Sequence, residues 1–310
     1  APAKPLMRAE PIKRAGVIAI GSNSTRMLTA TLGQPLTNLV RGRLETRLFL
    51  ALDEARGLSN TAINRLVDAV FLLKQQAQDA GAEVIRLIAT SAVRDSINAG
   101  LLQDALQQKT GLSMRVLTGQ EEAQYSFLGA AYPYLNSPSI GVVDIGGGST
   151  EIALGDGAGL DVCRSLQLGA SRLFLACPMD GLTAMDRALN IARQVIEDGL
   201  RGLRLPPDAR FLLVGGTGSA LMGILKGQLP QSGAPDEGFT LTQARESLRR
   251  LSPLSEQERA SLPGMMPGRE HILPTGLVIL TALMDHLRIS GMQVTARNNT
   301  DGYLFEMFQQ

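Results

Sequence analysis

The sequence is poor in the residues that build covalent or metal-held scaffolds. Its 310 residues include no tryptophan, two cysteines and two histidines. Two cysteines cannot form the disulfide framework of a small secreted domain, so we interpret Cys163 and Cys177 as free thiols. A zinc site is not predicted either, because His271 and His286 have no third nitrogen or sulfur ligand at a recognisable spacing.

Long apolar runs and an excess of charge of one sign are also lacking. Thirty basic and twenty-nine acidic side chains leave a formal charge of +1, which argues against a nucleic-acid coat or a polybasic membrane anchor. No apolar stretch reaches the ~18–20 residues of a membrane helix. The first residues, Ala1–Gly16, are basic but have no apolar core of a secretory signal. We therefore predict a cytoplasmic protein that binds neither nucleic acid nor membranes, with a loose arm at Ala1–Gly16.

The order of apolar runs and amphipathic segments predicts an α/β protein that is long enough for two domains. Predicted strands are Val17–Ile20, Met27–Leu32, Arg41–Leu50, Val84–Ala89, Met114–Leu117, Ile140–Asp144, Thr150–Leu154 and Phe211–Val214. Predicted helices run from a Ser59 cap to about Ala80 and then over Ile97–Lys109, Gln120–Tyr134, Ser171–Ala176, Thr183–Leu203, Thr242–Leu251, Ser255–Leu262, His271–Leu287 and Asp301–Gln310. In the third strand Arg41, Arg43 and Arg47 share one face by parity.

A nine-residue pattern occurs twice in the chain. Ile18–Arg26 and Val143–Glu151 align at a constant offset of 125 residues, since 144 − 19 and 151 − 26 both equal 125. Each copy is a strand, a Gly/Ser turn and a second strand. The recurrence predicts a duplicated lobe, with these hairpins opening the two copies.

The second hairpin, Asp144–Glu151, has the composition of a phosphate-and-metal loop. Three consecutive glycines allow positive φ and close approach of the backbone to a ligand, and successive amides form an anion-binding nest. An acid at each end of the turn suits a hard cation such as Mg²⁺. The loop is not a P-loop, because no lysine follows the glycines. A hairpin that needs glycine only for its turn geometry is the alternative.

Other candidate groups lie at the ends of predicted strands. Gly215–Thr217 follows an apolar strand and opens toward a helix, where it can receive a phosphate or serve as a plain turn. Arg94 offers a fork suited to phosphate oxygens, unless it pairs with Asp95 or Glu83 at the surface. Glu122 follows Glu121 at a helix start, where the helix dipole favours acids anyway, and is a candidate general base for water.

The ordered set of motifs resembles the family of exopolyphosphatases and guanosine pentaphosphate phosphatases. The motifs are Ile20–Ser24, Ala89–Arg94, Gly119–Ala123, Asp144–Glu151, Leu168–Leu173 and Val214–Thr217. The resemblance implies two ribonuclease-H-like lobes of the actin-like, sugar-kinase-like kind with an interlobe active-site cleft. It places residues 1–122 and 297–310 in the first lobe and residues 123–296 in the second.

The same resemblance implies hydrolysis of phosphoanhydrides, with release of terminal phosphate from inorganic polyphosphate or guanosine pentaphosphate. It makes Glu122 the general base and Arg94 a catalytic arginine, and it assigns Mg²⁺ or another divalent cation to Asp144 and Glu151. A homodimer is a further expectation from the family. The implied phosphate-binding residues are Gly21, Ser22, Asn23, Ser24, Gly146, Gly147, Gly148, Ser149, Thr150, Gly215, Gly216 and Thr217.

Two positions depart from the family pattern. Ala19 replaces a usual aspartate, which removes a carboxylate from the position that matches Asp144 in the repeat, and Asn298–Gly302 replaces a usual Gly-Leu-Arg-x-Gly. Two alternatives therefore stay open: a weakened sensor that binds polyphosphate or alarmone without turnover, and a kinase or ATPase on the same fold. The sequence does not rank polyphosphate against guanosine pentaphosphate.

Overall fold

The computed structural model describes residues 12–179, 181–206, 208–231 and 233–309. Most of the predicted loose arm, residues 1–11, lies outside the described residues. Its last part, Arg14–Gly16, begins the first strand instead of forming a loop. Within the described part of the chain, no helix is both long enough and apolar enough to cross a membrane.

The first part of the chain forms a five-stranded sheet with the order β3-β2-β1-β4-β5. The first three strands pair antiparallel, and β4 and β5 extend the sheet in parallel from β1. The strands are β1 Arg14–Ile20, β2 Ser24–Thr31, β3 Thr37–Glu45, β4 Val84–Ala89 and β5 Met114–Val116. The helices of this part are α1 Asn60–Asp79, α2 Ser91–Arg94 and α3 Ala99–Thr110.

The second part forms a six-stranded sheet with the order β10-β11-β9-β6-β7-β8. Its strands are β6 Ile140–Ile145, β7 Thr150–Asp156, β8 Gly159–Leu166, β9 Arg210–Val214, β10 Glu237–Thr240 and β11 Gly291–Val294. The remaining helices are α4 Gly119–Ala131, α5 Ala170–Ala176, α6 Leu182–Gly199, α7 Gly216–Lys226, α8 Leu241–Leu251, α9 Glu256–Ala260, α10 Leu273–Leu287 and α11 Asn299–Gln309.

The two sheets confirm the duplication predicted from the repeat. Five strands of the second sheet, β8-β7-β6-β9-β11, follow the same order and pairing directions as β3-β2-β1-β4-β5 of the first. The register agrees as well, because Ala19 lies opposite Arg26 in the first hairpin and Asp144 lies opposite Glu151 in the second. The repeated positions are therefore equivalent in space as well as in sequence.

Each sheet packs its apolar side chains against helices. Helix α10 is buried on almost every side and joins α5, α6, α7 and α8 in the core of the second sheet. In the first sheet α1 begins at the predicted cap, where the Ser59 side chain accepts a hydrogen bond from the Ala62 amide. A cap of this kind satisfies one of the free amides of a helix start.

Helix α11 packs closely against α4 and also contacts β1 and β2. The close approach needs glycine in both helices. A Cβ atom on Gly129 would overlap the Asn298 carbonyl oxygen, and one on Gly302 would overlap the Tyr125 carbonyl oxygen. The contacts of α11 with β1 and β2 support our proposal that residues 297–310 belong with the first lobe, whereas most of α4 falls in the proposed second lobe.

The structure corrects the predicted strand Arg41–Leu50. Strand β3 ends at Glu45, and Arg47 lies beyond it with a left-handed φ of 46°. The chain turns there because the amides of Thr46 and Arg47 donate to the Asn23 carbonyl oxygen. Arg47 therefore does not extend the face shared by Arg41 and Arg43.

Three strands, β8, β10 and β11, were not predicted, and some helices, α6 among them, were predicted too long. Strand β8 is an edge strand with few buried side chains, so the apolar pattern is weak. Strand β11 has only four residues. Helix α6 ends at Gly199 and does not reach Leu203.

Candidate active site

A narrow cleft of about 40 Å³ lies between the two sheets and is lined by residues from both. The turns of the two repeated hairpins meet there, and a Cβ atom on Gly147 would lie 2.7 Å from the Ser22 Cβ. The lining residues are Gly21, Ser22, Asn23, Ser24, Arg26, Thr90, Ser91, Glu122, Asp144, Ile145, Gly146, Gly147, Gly215, Gly216 and Arg269. The structure thus brings the predicted loops at residues 21–24, 146–147 and 215–216 together in one site.

The glycines of the second hairpin serve close packing. None of Gly146, Gly147 and Gly148 has a φ in the left-handed region, so the expectation of positive φ in this turn is wrong. A side chain at position 148 would overlap the Ser91 hydroxyl and come within 2.8 Å of the Phe49 ring. Gly148 is therefore required where the second hairpin packs against Ser91 and Phe49 of the first part of the chain, and it lies outside the cleft lining.

Three predicted phosphate-binding side chains also lie behind the cleft surface. The Thr150 hydroxyl donates to the Leu168 carbonyl oxygen at 2.5 Å. Thr217 is buried against Gly276 of α10. Ser149 is buried, and its hydroxyl has no hydrogen-bond partner among the described residues.

The third glycine loop begins a helix directly at the cleft. Gly215 has a φ of 97°, which favours glycine, and it precedes the first residue of α7. A Cβ atom on Gly215 would lie 3.0 Å from Asp144 Oδ1. The free amides at the start of α7 and the positive end of its dipole are suited to an anion.

Glu122 is a buried acid at the start of α4. Thr118 and Glu121 form a capping box that fixes this helix end, and Glu122 itself is only 6% exposed. Burial and the nearby charge of Asp144 raise the pKa of Glu122 to about 7, while Arg94 opposes the rise. A carboxyl group with this pKa can accept a proton near neutral pH.

Arg94 contacts Glu122 directly. Its Nη1 donates to Glu122 Oε2 at 3.3 Å and to the Leu117 carbonyl oxygen at 2.6 Å. Its Nη2 is buried without a hydrogen-bond partner in the described chain. The surface alternative for Arg94 has no contact to support it, since Asp95 pairs with Arg56 and Arg172 instead.

The two predicted metal ligands differ in position. Asp144 lines the cleft and accepts a hydrogen bond from the Ser126 hydroxyl at 2.6 Å. Glu151 lies behind it, where its Oε1 accepts from Ser165 at 2.8 Å. Burial, then the charges of Glu122 and Asp144, raise the pKa of Glu151 well above its ordinary value.

These oxygen ligands fit a hard cation. Mg²⁺ binds one or two carboxylates and takes water and substrate phosphate oxygens as its other ligands. Asp144 and Glu122 present carboxylates to the cleft. Glu151 Oε2 is buried with no partner within the described residues, so a nearby cation would satisfy this acceptor.

Two arginines that were not among the predicted site residues also line the cleft. Arg269 is buried and Arg26 is half-buried, and burial lowers the pKa of Arg269 to about 9. The side chain of Arg269 packs over Gly216, where any Cβ atom would overlap its guanidinium group. Arg26 could have been found from the repeat, because it occupies the position that matches Glu151. Arg269 has no such signal, since it lies in a loop far from every glycine motif.

A second cavity of about 350 Å³ adjoins the cleft, and we call it the arginine cavity. It shares Arg26 and Arg269 with the cleft and adds Arg41 and Arg43 from β3. In this structure Arg41 is held by Asp301 through two hydrogen bonds of 2.6 and 3.1 Å. Arg41 and Arg43 thus line the arginine cavity together, and Arg47 is not part of its lining.

Two sheets of one topology around a cleft of glycine loops define a two-lobed α/β protein of the actin-like class. The chain belongs to the Ppx/GppA phosphatase family, which it matches over residues 28–310. Among its curated relatives is a guanosine-5'-triphosphate,3'-diphosphate pyrophosphatase of Photobacterium profundum, which is 29% identical over 297 residues. The match covers 94% of this chain and 59% of the relative, so the chain spans about three-fifths of the relative's length.

Solved structures show the same fold. An exopolyphosphatase-like protein superimposes with a TM-score of 0.86 at 23% identity, covering 96% of this chain and 98% of the other. The Aquifex aeolicus member of the Ppx/GppA family superimposes with a TM-score of 0.79 at 22% identity, covering 96% and 97% of the two chains. At these identities the likeness establishes the fold.

Proposed function

We propose that this protein is a phosphoanhydride hydrolase that releases terminal phosphate from inorganic polyphosphate or guanosine pentaphosphate. The observation that supports this function most directly is the buried carboxyl group of Glu122, whose pKa is raised to about 7, in a cleft lined by arginines and glycine loops. In-line phosphoryl transfer to water uses a base that takes the proton of the water and donors that stabilise charge on the phosphoryl oxygens, and this cleft offers both.

In the proposed reaction a water molecule attacks the terminal phosphorus in line with the bridging oxygen. Glu122 accepts the proton of the water, the bond between phosphorus and the bridging oxygen breaks, and the remaining phosphate chain leaves. Arg94 holds the Glu122 carboxylate through Nη1. Its Nη2 is buried outside the cleft lining and has no partner in the described chain, so it would reach a non-bridging oxygen after a shift of the side chain. Because Glu122 must be ionised to act, the rate should rise as the pH passes through about 7.

The substrate would bind with its terminal phosphate in the narrow cleft and the rest in the arginine cavity. The amides at the start of α7, together with Arg26 and Arg269, offer donors to the terminal group. Arg41 and Arg43 would then meet the following phosphates. A divalent cation held by Asp144, with Glu151 beside it, would neutralise charge on the non-bridging oxygens.

Both candidate substrates fit this arrangement. The Photobacterium profundum relative is named for cleavage of a guanosine polyphosphate, and a linear polyphosphate presents the same terminal group to the cleft. One observation favours a second candidate function, a sensor that binds without turnover. Ala19 provides no carboxylate opposite Arg26, whereas the second hairpin has Asp144 opposite Glu151.

The test is phosphate release from polyphosphate and from guanosine pentaphosphate, each with Mg²⁺ and with a chelator. We expect release that depends on the metal and that falls at least about 100-fold in Glu122→Gln, the lower range for loss of a general base. Glu121→Gln is the matched control, because the Glu121 side chain is partly exposed, outside the cleft lining, and glutamine can keep the capping box.

Full activity of Glu122→Gln would contradict the assignment of the base. Binding of either ligand by the wild-type protein without any release would establish the sensor instead. In that case an Ala19→Asp variant would show whether the missing carboxylate is the cause.

A further inference from the structure

A second group of potential ligands lies outside the cleft, on the segment that leads into α10. One ligand atom each of Glu256, Glu270 and His271 lies within 4.8 Å of the other two. Glu256 is the first residue of α9, and the other two follow Arg269, which lines the cleft. These three residues have no role in the hydrolysis proposed above.

His271 is the unusual member of this group. Its residue is 3% exposed, and neither Nδ1 nor Nε2 has a hydrogen-bond partner within the described chain. The Phe174 ring packs edge-on against the imidazole, with 5.6 Å between the ring centroids. Two buried ring nitrogens without partners are costly and require an explanation.

Burial and the charge of Arg47 lower the pKa of His271 to about 4. Because neither ring nitrogen has a partner in the described chain, a nitrogen lone pair of His271 is available to a ligand. A neutral imidazole beside two carboxylates is a typical ligand set for Zn²⁺ and related first-row cations. Mg²⁺ prefers oxygen ligands alone.

We propose that Glu256, Glu270 and His271 form a binding site for a transition-metal cation of the Zn²⁺ class, with water as the fourth ligand. Ligands of a tetrahedral Zn²⁺ lie roughly 3.5 Å apart, because each bond is about 2.0 to 2.2 Å long. The present separations of up to 4.8 Å require a small closure. Glu256 can supply it, since its side chain lies at the surface.

The site is open to solvent on the side of Glu256. A surface cavity of about 550 Å³ is lined by Ser255, Glu256, Gln257, Ala260 and Glu270. A cation and its water ligand can therefore enter without movement of the core. His271 closes the opposite, buried side of the site.

Two arginines near Glu270 set the conditions for metal binding. Arg47 Nη2 pairs with Glu270 Oε1 at 3.3 Å, and Arg259 donates to the Glu270 carbonyl oxygen at 3.2 Å. Arg47 is 42% exposed and can leave, whereas Arg259 is buried and uses the backbone of Glu270. A bound cation would therefore compete with Arg47 for the Glu270 carboxylate.

The experiment is a calorimetric titration of untagged, metal-free protein with Zn²⁺ in the presence of excess Mg²⁺. Co²⁺ is then used as a spectroscopic probe, because its visible absorption reports tetrahedral coordination by nitrogen and oxygen. We expect one bound Zn²⁺ in the wild-type protein. Its affinity should fall more than about 10-fold in His271→Gln and in Glu256→Gln, since even changes behind the ligands cost this much.

His286→Gln is the matched control, because His286 is the other histidine of the sequence and lies exposed on α10. It should bind Zn²⁺ as the wild type does. Glu256→Gln keeps the test valid if His271→Gln does not fold, since Glu256 is exposed. Arg47→Gln should raise the affinity, because the competing charge is gone.

No bound Zn²⁺ in the wild-type protein would overturn the proposal, as would wild-type affinity in both ligand variants. An equal loss in His286→Gln would place the metal elsewhere. Unchanged or weaker binding in Arg47→Gln would contradict the use of Glu270. Each result is independent of phosphate release in the cleft.

Discussion

At the residue scale, the charged side chains around the cleft are largely removed from water. Glu122, Asp144, Glu151 and Arg269 are almost completely buried around the cleft, and Arg26 beside them is half-buried. Burial raises the pKa of Glu122 and Glu151 and lowers that of the two arginines, so each group is less stably charged than in water. An incoming phosphate and its cation would restore the charge balance.

The raised pKa of Glu122 has a consequence for stability. Folding raises the pKa of this carboxyl group from its ordinary value of 4.5 to about 7. The protonated group therefore contributes its full stabilisation below pH 4.5, and this contribution is lost as the pH rises through about 7. At 1.36 kcal/mol per unit the loss is about 3 kcal/mol. Between pH 4.5 and 8 we expect the free energy of unfolding to fall in both proteins. The fall should be smaller in Glu122→Gln than in the wild type, by about 3 kcal/mol.

The measurement is urea denaturation of both proteins over this pH range. Glu151 contributes a change of the same sign in both proteins, but a smaller one in Glu122→Gln, because the charge of Glu122 is one cause of the raised pKa of Glu151. The difference between the curves therefore reports Glu122 together with its effect on Glu151. Parallel curves would show that Glu122 keeps an ordinary pKa in the folded state.

Sequence reasoning identified site residues where they lie in a motif. Glu122, Asp144 and the glycines at 21, 146 and 215 were named from the sequence, and the structure brings them to one cleft. Arg269 was missed because only the tertiary fold brings the loop before α10 over Gly216. Ser149 and Thr150 were predicted from the composition of the loop, but neither lines the cleft. The sequence pattern of a strand does not show which hydroxyl groups face a cleft.

At the scale of elements, the start of α7 illustrates how one glycine positions a distant side chain. Gly216 is the first residue of the helix, and its missing Cβ leaves the space that the Arg269 guanidinium occupies. Loop, helix and arginine therefore act together as one anion site.

We expect Gly216→Ala to displace Arg269 and to lower kcat/KM for phosphate release by about 10- to 100-fold. A lost charged hydrogen bond of about 1.5–3 kcal/mol corresponds to a change of this size. Gly100→Ala in α3 is the control, because a Cβ atom there meets nothing within 4 Å. It should keep full activity and gain about 0.5 kcal/mol of stability. Wild-type kinetics in Gly216→Ala would exclude Arg269 from substrate binding.

The elements themselves were predictable where the apolar pattern is strong. Helix α10 and strand β6 are buried along almost their whole length, and both were predicted within a few residues. Strand β8 lies at a sheet edge and strand β11 has four residues, so neither carries enough apolar residues for a pattern. The end of β3 depends on hydrogen bonds from a distant turn, which no local pattern contains.

At the scale of the whole molecule, side chains and helices connect the two sheets around the cleft. Arg172 of α5 donates to the Gly148 carbonyl oxygen at 2.6 Å and to Asp95 at 2.5 Å. Its guanidinium group lies 4.9 Å from the centre of the Phe49 ring. Asp95 and Phe49 belong to the first part of the chain, so this arginine ties the second hairpin to it.

The crossing of α4 and α11 is the other connection, and it leaves no room for a side chain. A Cβ atom at position 302 would overlap the Tyr125 carbonyl oxygen and lie 3.0 Å from the Gly129 amide nitrogen. These are backbone atoms and cannot turn aside. We expect Gly302→Ala to lower the free energy of unfolding by about 2 kcal/mol, as overpacking of a core does.

Chemical denaturation measures this effect, with Gly100→Ala as the control of opposite sign. Phosphate release should fall too, because α4 carries Glu122 at its start. Unaltered stability of Gly302→Ala would show that the two helices can separate without cost.

The position of α11 has a consequence for synthesis on the ribosome. It is translated after every other element of the described chain, yet its residues Tyr303, Leu304 and Phe305 share a core with Val17 and Leu28 of the first hairpin. Until α11 emerges, the apolar faces of β1 and α4 have no cover, and exposed surface of this kind attracts chaperones or aggregates. The sheet that is made first is therefore completed only after the second one, and the helix that carries Glu122 becomes fixed only when α11 has emerged from the exit tunnel.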